Sequence, residues 1–387
     1  GPRLLSVFAA VLVMGLLLTG CWDRREIEER SAVFAMAIDN HPKGVEVSVQ
    51  IPIPIMIVGS GGGGAGEGGQ GAVHNFSAVG RTVSEAWESL QNQTNQELFL
   101  GHTRLLLLSE EVAQKKGMEI LDVLRRHPQI RRQIWPLIIE GKAKDALKVN
   151  LRLAEIPTEY ILGYVENGSN LGRMANSTLG KWFINQSDPT RGTLINYLYV
   201  RPAVTNGTEE GASGTVMWKG LAVMSGNRMV GKLSKEESSP LLEIVEERSG
   251  YPQRVKCPNE KGMFTFEPKA VDPSISVTHQ GKQVKIRMKV EVWGGIVEST
   301  CSKLDMSKKD VLEKVKRWLE EAYEEQFRKT LYRAQKEFRT DVFELGSLIR
   351  AFHPNLWNSI DWDREFPRAD IQADYQVTIK NLGLEAR

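Results

Sequence analysis

Six histidines and three cysteines are the first residues to test for chemistry, because imidazole and thiolate supply most zinc sites and many catalytic bases and nucleophiles. His41, His74, His102, His127, His279 and His353 are scattered along the 387 residues. No two stand at a His-x-x-x-His or His-Glu-x-x-His spacing, which would place two ligands on one helix face. Each reads as a satisfied surface or core histidine. No Gly-x-Ser-x-Gly elbow occurs, and Gly211-Ala212-Ser213-Gly214 lacks the strand-to-helix setting that exposes a nucleophile. The acidic pairs Glu110-Glu111, Glu209-Glu210, Glu236-Glu237 and Glu246-Glu247 fall at helix starts, on solvated faces or in a loop, where the helix dipole or hydration accounts for them. The glycine run at 59–71 (GSGGGGAGEGGQG) has no lysine after it, so it is not a phosphate loop. It reads as a flexible loop. No catalytic residue, metal ligand or cofactor site is predicted.

Cys21 carries the one strong chemical signal. An apolar run from Leu4 to Leu18 is followed at once by Thr19, Gly20 and Cys21. The run is shorter than the roughly 20 residues that a membrane-spanning helix needs. A short apolar core ending in small residues is the pattern of a secretory signal segment. Leu18-Thr19-Gly20-Cys21 resembles the bacterial lipobox, in which the cysteine thiol is acylated and the chain is cut just before it. Two or more acyl chains hold a protein stably at a bilayer, since each buried methylene contributes about 0.8 kcal/mol. Cys257 and Cys301 read either as buried free thiols or as a disulfide pair, and two cysteines make no metal motif.

The elements that follow are those of a water-soluble protein. With 41% hydrophobic and 25% charged residues the chain has average globular composition. Its net charge of +2 is too small to create a field for nucleic acid. Residues 31–38 and 45–58 read as a hairpin about the turn at Asp39 to Gly44, and Pro52 and Pro54 put the far end of its second strand at a sheet edge. From Val73 strands alternate with helices, including helices 82–93, 118–126 and 157–165 and strands 103–108, 133–140 and 193–200. Residues 201–214 are rich in turn formers. Short strands are expected at 215–224, 228–233, 263–266, 274–279 and 283–293, and Ser307 is expected to cap a long helix over 307–339 whose apolar stripe includes Val315, Phe327 and Leu331. A further helix is expected over 341–352. Trp357 and Trp362 read as packing anchors.

The fold class is therefore mixed α/β or α+β, with three modules of sheets packed with helices after a signal segment. The expected division is 1–20 signal, 21–200 amino-terminal domain, 201–262 small middle domain, and 263–387 carboxy-terminal domain, β-rich with the long helix laid across it.

Cys21-Trp22-Asp23-Arg24-Arg25-Glu26-Ile27-Glu28, followed by Val33-Phe34-Ala35-Met36-Ala37-Ile38-Asp39, resembles the start of the Ger(x)C spore germination lipoproteins. Phe99 to Leu108 leading to Glu110-Glu111-Val112-Ala113, Lys219 to Leu233 ending in Ser234-Lys235-Glu236-Glu237, and Asp341 to Gly346 with Pro354, Trp357 and Trp362 extend the resemblance in order along the chain. It implies a non-catalytic C subunit of a nutrient germinant receptor. Such a subunit is lipid-anchored through Cys21 on the outer face of the spore inner membrane, with membrane-embedded A and B subunits as partners. Trp22, Asp23, Arg24 and Arg25, held next to the bilayer, are the candidate partner contacts. The competing reading is a solute-binding lipoprotein of a transporter, which would show two similar lobes around a cleft. An anchored hydrolase is disfavoured for want of a catalytic constellation.

Overall fold

A computed structural model of the protein describes residues 30–53, 73–149, 156–188, 191–201, 214–258, 260–281, 283–302 and 304–381. The signal segment, Cys21 to Arg25, the glycine run and most of the 201–214 linker lie outside them.

In chain order the strands are β1 (Arg30–Ala32), β2 (Ala35–His41), β3 (Gly44–Pro52), β4 (Val73–Gly80), β5 (Glu97–Phe99), β6 (Leu105–Ser109), β7 (Trp135–Glu140), β8 (Gly192–Arg201), β9 (Thr215–Ser225), β10 (Arg228–Leu233), β11 (Gln253–Lys256), β12 (Met263–Gln280), β13 (Gln283–Ser299) and β14 (Asp370–Asn381). Eight of them form one sheet in the order β10-β9-β8-β7-β6-β2-β3-β4. Its centre is parallel, β2 with β6, β6 with β7 and β7 with β8, and antiparallel strands flank it. Helices cover both faces, which is why β6 reads Leu-Leu-Leu-Leu without alternation. Leu106 and Leu108 pack with Met36, Ile38 and Trp182 on one face, Leu105 and Leu107 with Ala35, Leu162 and Trp218 on the other. The helices start where their caps put them. Thr82 accepts from the Glu85 N–H and Ser109 from the Val112 N–H. Ser234 and Glu237 form a reciprocal capping box.

Among the described residues, the expected middle domain at 201–262 has no sheet of its own. β9 and β10 add to the large sheet because β8 offers β9 a full-length antiparallel edge, from Gly192 opposite Ser225 to Arg201 opposite Thr215. Helix Lys235–Ile244 then divides its apolar side chains, Leu242 going to a core of the large sheet and Leu241 and Ile244 to that of the second sheet.

The second sheet has the order β11-β12-β13-β14, with β14 parallel to β13. Strands expected at 263–266 and 274–279 are one continuous β12. Pro268 lies at a register break and Pro273 on the stretch beyond Phe266, where β11 has ended. An edge position lets proline lack an N–H without losing a ladder bond. Likewise Pro52 ends β3 opposite Val73 of β4, beyond Gln50, the last residue paired with β2. The long helix runs Lys309–Tyr332 and continues as a π-helical turn over Arg333–Phe338. It buries Val315, Leu319, Tyr323, Phe327 and Leu331 against the sheet. Ser307 does not cap it. Lys308 holds the cap position, and Ser307 bonds Asp305 instead. The helix expected from residue 341 begins at Leu345, because the Asp341 carboxylate organises the turn before it. Cys257 and Cys301, left open by the sequence, form a disulfide with Cα atoms 5.7 Å apart.

Candidate functional site

Cys21, Trp22, Asp23, Arg24 and Arg25 lie outside the described residues, and the described chain begins at Arg30. Arg30 starts β1, which pairs in parallel with β5. Its guanidinium lies 4.9 Å from the Phe99 ring centre and 3.3 Å from the Glu97 carboxylate. The Val33 N–H donates to the Phe99 carbonyl at 3.0 Å, and the Thr103 hydroxyl to the Val33 carbonyl at 3.0 Å. The chain leading from Cys21 is thus fastened to one end of the large sheet. This is the end where the parallel strands begin, with Ala35, Leu105 and Trp135 level across β2, β6 and β7.

Two open depressions mark that end. One, of about 380 Å³, lies between Ser31, Ile51, Pro52, His74, Phe76 and Gln96. The other is a groove of about 610 Å³ above Phe34 and Trp135, with His102, Arg104, Arg131 and Glu159 on its walls. Open α/β sheets generally take small ligands beyond the carboxyl ends of their strands, and this groove lies at the amino ends. Its walls are polar and charged, a lining suited to contact with another surface.

The opposite end of the parallel strands is closed by polar locks. The Tyr197 hydroxyl donates to Glu110 Oε2 at 2.6 Å, and Lys232 Nζ lies 3.0 Å from Glu110 Oε1. Burial, followed by the Glu110 carboxylate, pushes the Tyr197 hydroxyl far above its ordinary range. The phenol therefore serves as a donor. Asp39 accepts from the Ala143 and Lys144 N–H groups at 2.8 and 3.0 Å, satisfying the start of a short helical turn.

Glu243 and Asp341 are buried as well, 1% and 3% exposed. Glu243 accepts from the Ser239 and Tyr375 hydroxyls at 2.8 and 3.0 Å, and burial pushes its carboxyl up to about 7. Asp341 is pushed up to about 6 by burial, against the pull of its backbone donors and the Trp362 indole. Each is used by donors that tie segments together. Cys257, Glu260 and Cys301 lie close enough to suggest a metal site. Both sulfurs are spent in the disulfide, which leaves no thiolate for a metal. The sequence does not show the burial of these acids, because Glu243 within Leu241 to Val245 and Asp341 before Val342-Phe343 could each face solvent or core. Only packing makes them dry.

Two family models match the chain in order, the spore germination protein N-terminal domain over residues 23–200 and the spore germination B3/GerAC-like C-terminal domain over residues 219–383. The chain belongs to the Ger(x)C family of spore germination proteins. Similar Ger(x)C relatives include spore germination protein YndF of Bacillus subtilis (strain 168), 26% identical with 98% of this chain and 97% of that protein covered. Spore germination protein B3 of the same strain is 24% identical, with 98% of each chain covered. Among solved structures, the crystal structure of the GerBC protein matches at a TM-score of 0.56 and 18% identity, covering 89% of this chain and 97% of that one. The Ger(x)C fold, mixed α/β with several sheets, is shared with it. Among the described residues no helix is long and apolar enough to cross a membrane.

Proposed function

We propose that this Ger(x)C protein is the C subunit of a nutrient germinant receptor, anchored through lipid on Cys21 to the outer face of the spore inner membrane. There it assembles with membrane-embedded A and B subunits and catalyses no reaction itself. The observation that carries the reading is the order of its parts. A lipobox-like Leu18-Thr19-Gly20-Cys21 stands directly ahead of two germination-family regions that together span residues 23–383. The Cys257–Cys301 disulfide supports placement outside the cytoplasm, where thiols stay oxidised. Anchoring confines the chain to the membrane plane and raises its effective concentration toward partners in the same membrane, so a modest interface suffices. Trp22, Asp23, Arg24 and Arg25 are the proposed contacts beside the bilayer.

The solute-binding lipoprotein reading gains nothing from the architecture, since an eight-stranded mixed sheet and a four-stranded one are not two similar lobes. The test is a deletion in a spore former without a paralogue. Germination by nutrients should be lost while germination by a calcium chelate that bypasses receptors is kept, and an intact nutrient response sinks the proposal. Mass spectrometry of the membrane-bound protein should find acyl chains on an amino-terminal Cys21, and Cys21→Ala should release it.

A further inference from the structure

We propose that the amino ends of β2, β6 and β7 form a basic face that lies against an anionic lipid surface, so that the protein has a fixed orientation on the bilayer and is not merely tethered. The proposal rests on the lipid-anchor reading for its biological setting, and on two independent observations for its geometry.

The first is where the chain enters. Eight residues lie between Cys21 and Arg30, which are nine positions apart. They span at most roughly 30 Å when fully extended, so this end of the sheet is kept near the headgroups. The second is charge. The segment Arg125-Arg126-His127-Pro128-Gln129-Ile130-Arg131-Arg132 holds four arginines and no acid. It returns the helix Gly117–Arg126 to the start of β7, and all four arginines are exposed. The segment is continuous with the entry point, because the Gln129 side chain accepts from the Leu100 N–H at 2.9 Å and His102 packs edge-on against Phe99, the ring beneath Arg30. Arg104 and Arg131 both line the groove.

The arginines differ in how far they are already satisfied. Arg104 pairs with Glu166 at 3.3 Å and Arg126 with Asp122 at 3.0 Å. Arg125 lies over the Phe183 ring and donates to the Gln186 side chain, a neutral acceptor. Arg131 and Arg132 have no acidic partner among the described residues. Burial lowers the His127 imidazole below its ordinary range, so it disfavours a further positive charge here. Of the two acids that line the groove, Glu166 is taken by Arg104 and Glu159 opposes the free arginines. Uncompensated guanidinium groups beside a lipid anchor match lipid phosphates in charge and in bidentate geometry. The whole-chain charge of +2 hides this, because balancing acids lie elsewhere.

The experiment uses the lipid-free chain from residue 22. All three hydrophobic cores draw on residues from Val33 onward, so this chain retains every packed element described above. Its cosedimentation is measured with vesicles of phosphatidylglycerol and phosphatidylcholine, and with phosphatidylcholine alone. Binding is expected to the first only, and to weaken as salt shortens the Debye length below about 10 Å. Arg131→Gln with Arg132→Gln should weaken binding roughly 25-fold, at about fivefold per arginine (about 1 kcal/mol each at an anionic surface). Lys314→Gln with Arg317→Gln, on the outer side of helix Lys309–Tyr332, should change it little, and Glu159→Gln should tighten it. Equal binding to both vesicle types, no binding to either, or an equal effect of the two double variants overturns the proposal. If the arginine pair instead affects only co-purification with the A and B subunits, the face meets an acidic protein surface and the lipid assignment is wrong. Acylation of Cys21 is read separately by mass spectrometry, so a failed anchor and a failed face give different results.

Discussion

The Trp362 indole Nε1–H donates a 2.9 Å hydrogen bond to Asp341 Oδ2, joining two residues 21 positions apart at the seam between the two sheets. The same carboxylate accepts from the Gly346 N–H at 2.7 Å and the Phe343 N–H at 3.1 Å, while the Asp341 carbonyl accepts from the Gly192 N–H at the start of β8. Asp341 therefore fixes a turn, seats a tryptophan and meets the start of β8 in the large sheet.

Trp362→Phe should keep the ring's packing but leave that carboxylate one donor short. The expected cost is about 1–3 kcal/mol, the usual penalty for stranding a buried polar group. Asp341→Ala, which strands several donors at once, should cost more. Urea unfolding of both variants checks the order.

Glu243 gives the clearest pH dependence. Its carboxyl stands at about 7 in the folded protein against an ordinary 4.5, so in this window the folded state binds a proton that the unfolded chain has released. Its contribution is full below pH 4.5 and is lost as pH rises through 7, by roughly 3 kcal/mol in all. Glu243→Gln, neutral at every pH, should flatten the unfolding midpoint between pH 4.5 and 8. A variant with the wild-type slope would locate the effect elsewhere.

Cleavage of the disulfide should act on the second sheet. Cys257 and Cys301 close a loop with a sequence separation of 44, for which the chain-entropy model gives about 4 kcal/mol. Cys257→Ser with Cys301→Ser should lower stability by an amount of that order. The loss should match that of wild type unfolded in the presence of a reducing agent, and hydrogen exchange should rise first in β11 and the adjoining part of β12.

Gly220 is a backbone requirement within the Lys219 to Leu233 stretch. Its φ is +138°, and an added Cβ would lie 1.9 Å from the Leu233 carbonyl oxygen. Gly220→Ala should cost more than about 2 kcal/mol through strain and displacement of the β10 end. A midpoint within error of wild type would show that the strand end can move aside.

Local and compositional features were legible without the fold. The apolar run before Cys21, the turn at Asp39 to Gly44 and the alternation of strands with helices can each be read within a few residues, because turn chemistry and periodicity are short-range effects. The ordered family-like motifs were legible for the same reason. Tertiary structure decided what depends on distant partners. It joined β9 and β10 to the large sheet because β8 had a free edge to offer, paired two cysteines that the sequence left open, and carried β12 through Pro273 because β11 ends opposite Phe266. It also decided which charges matter. Glu243 and Asp341 look ordinary in sequence and are desolvated only by packing, whereas Arg131 and Arg132 vanish in a net charge of +2 and become a face only when the fold sets them beside the entry of the chain.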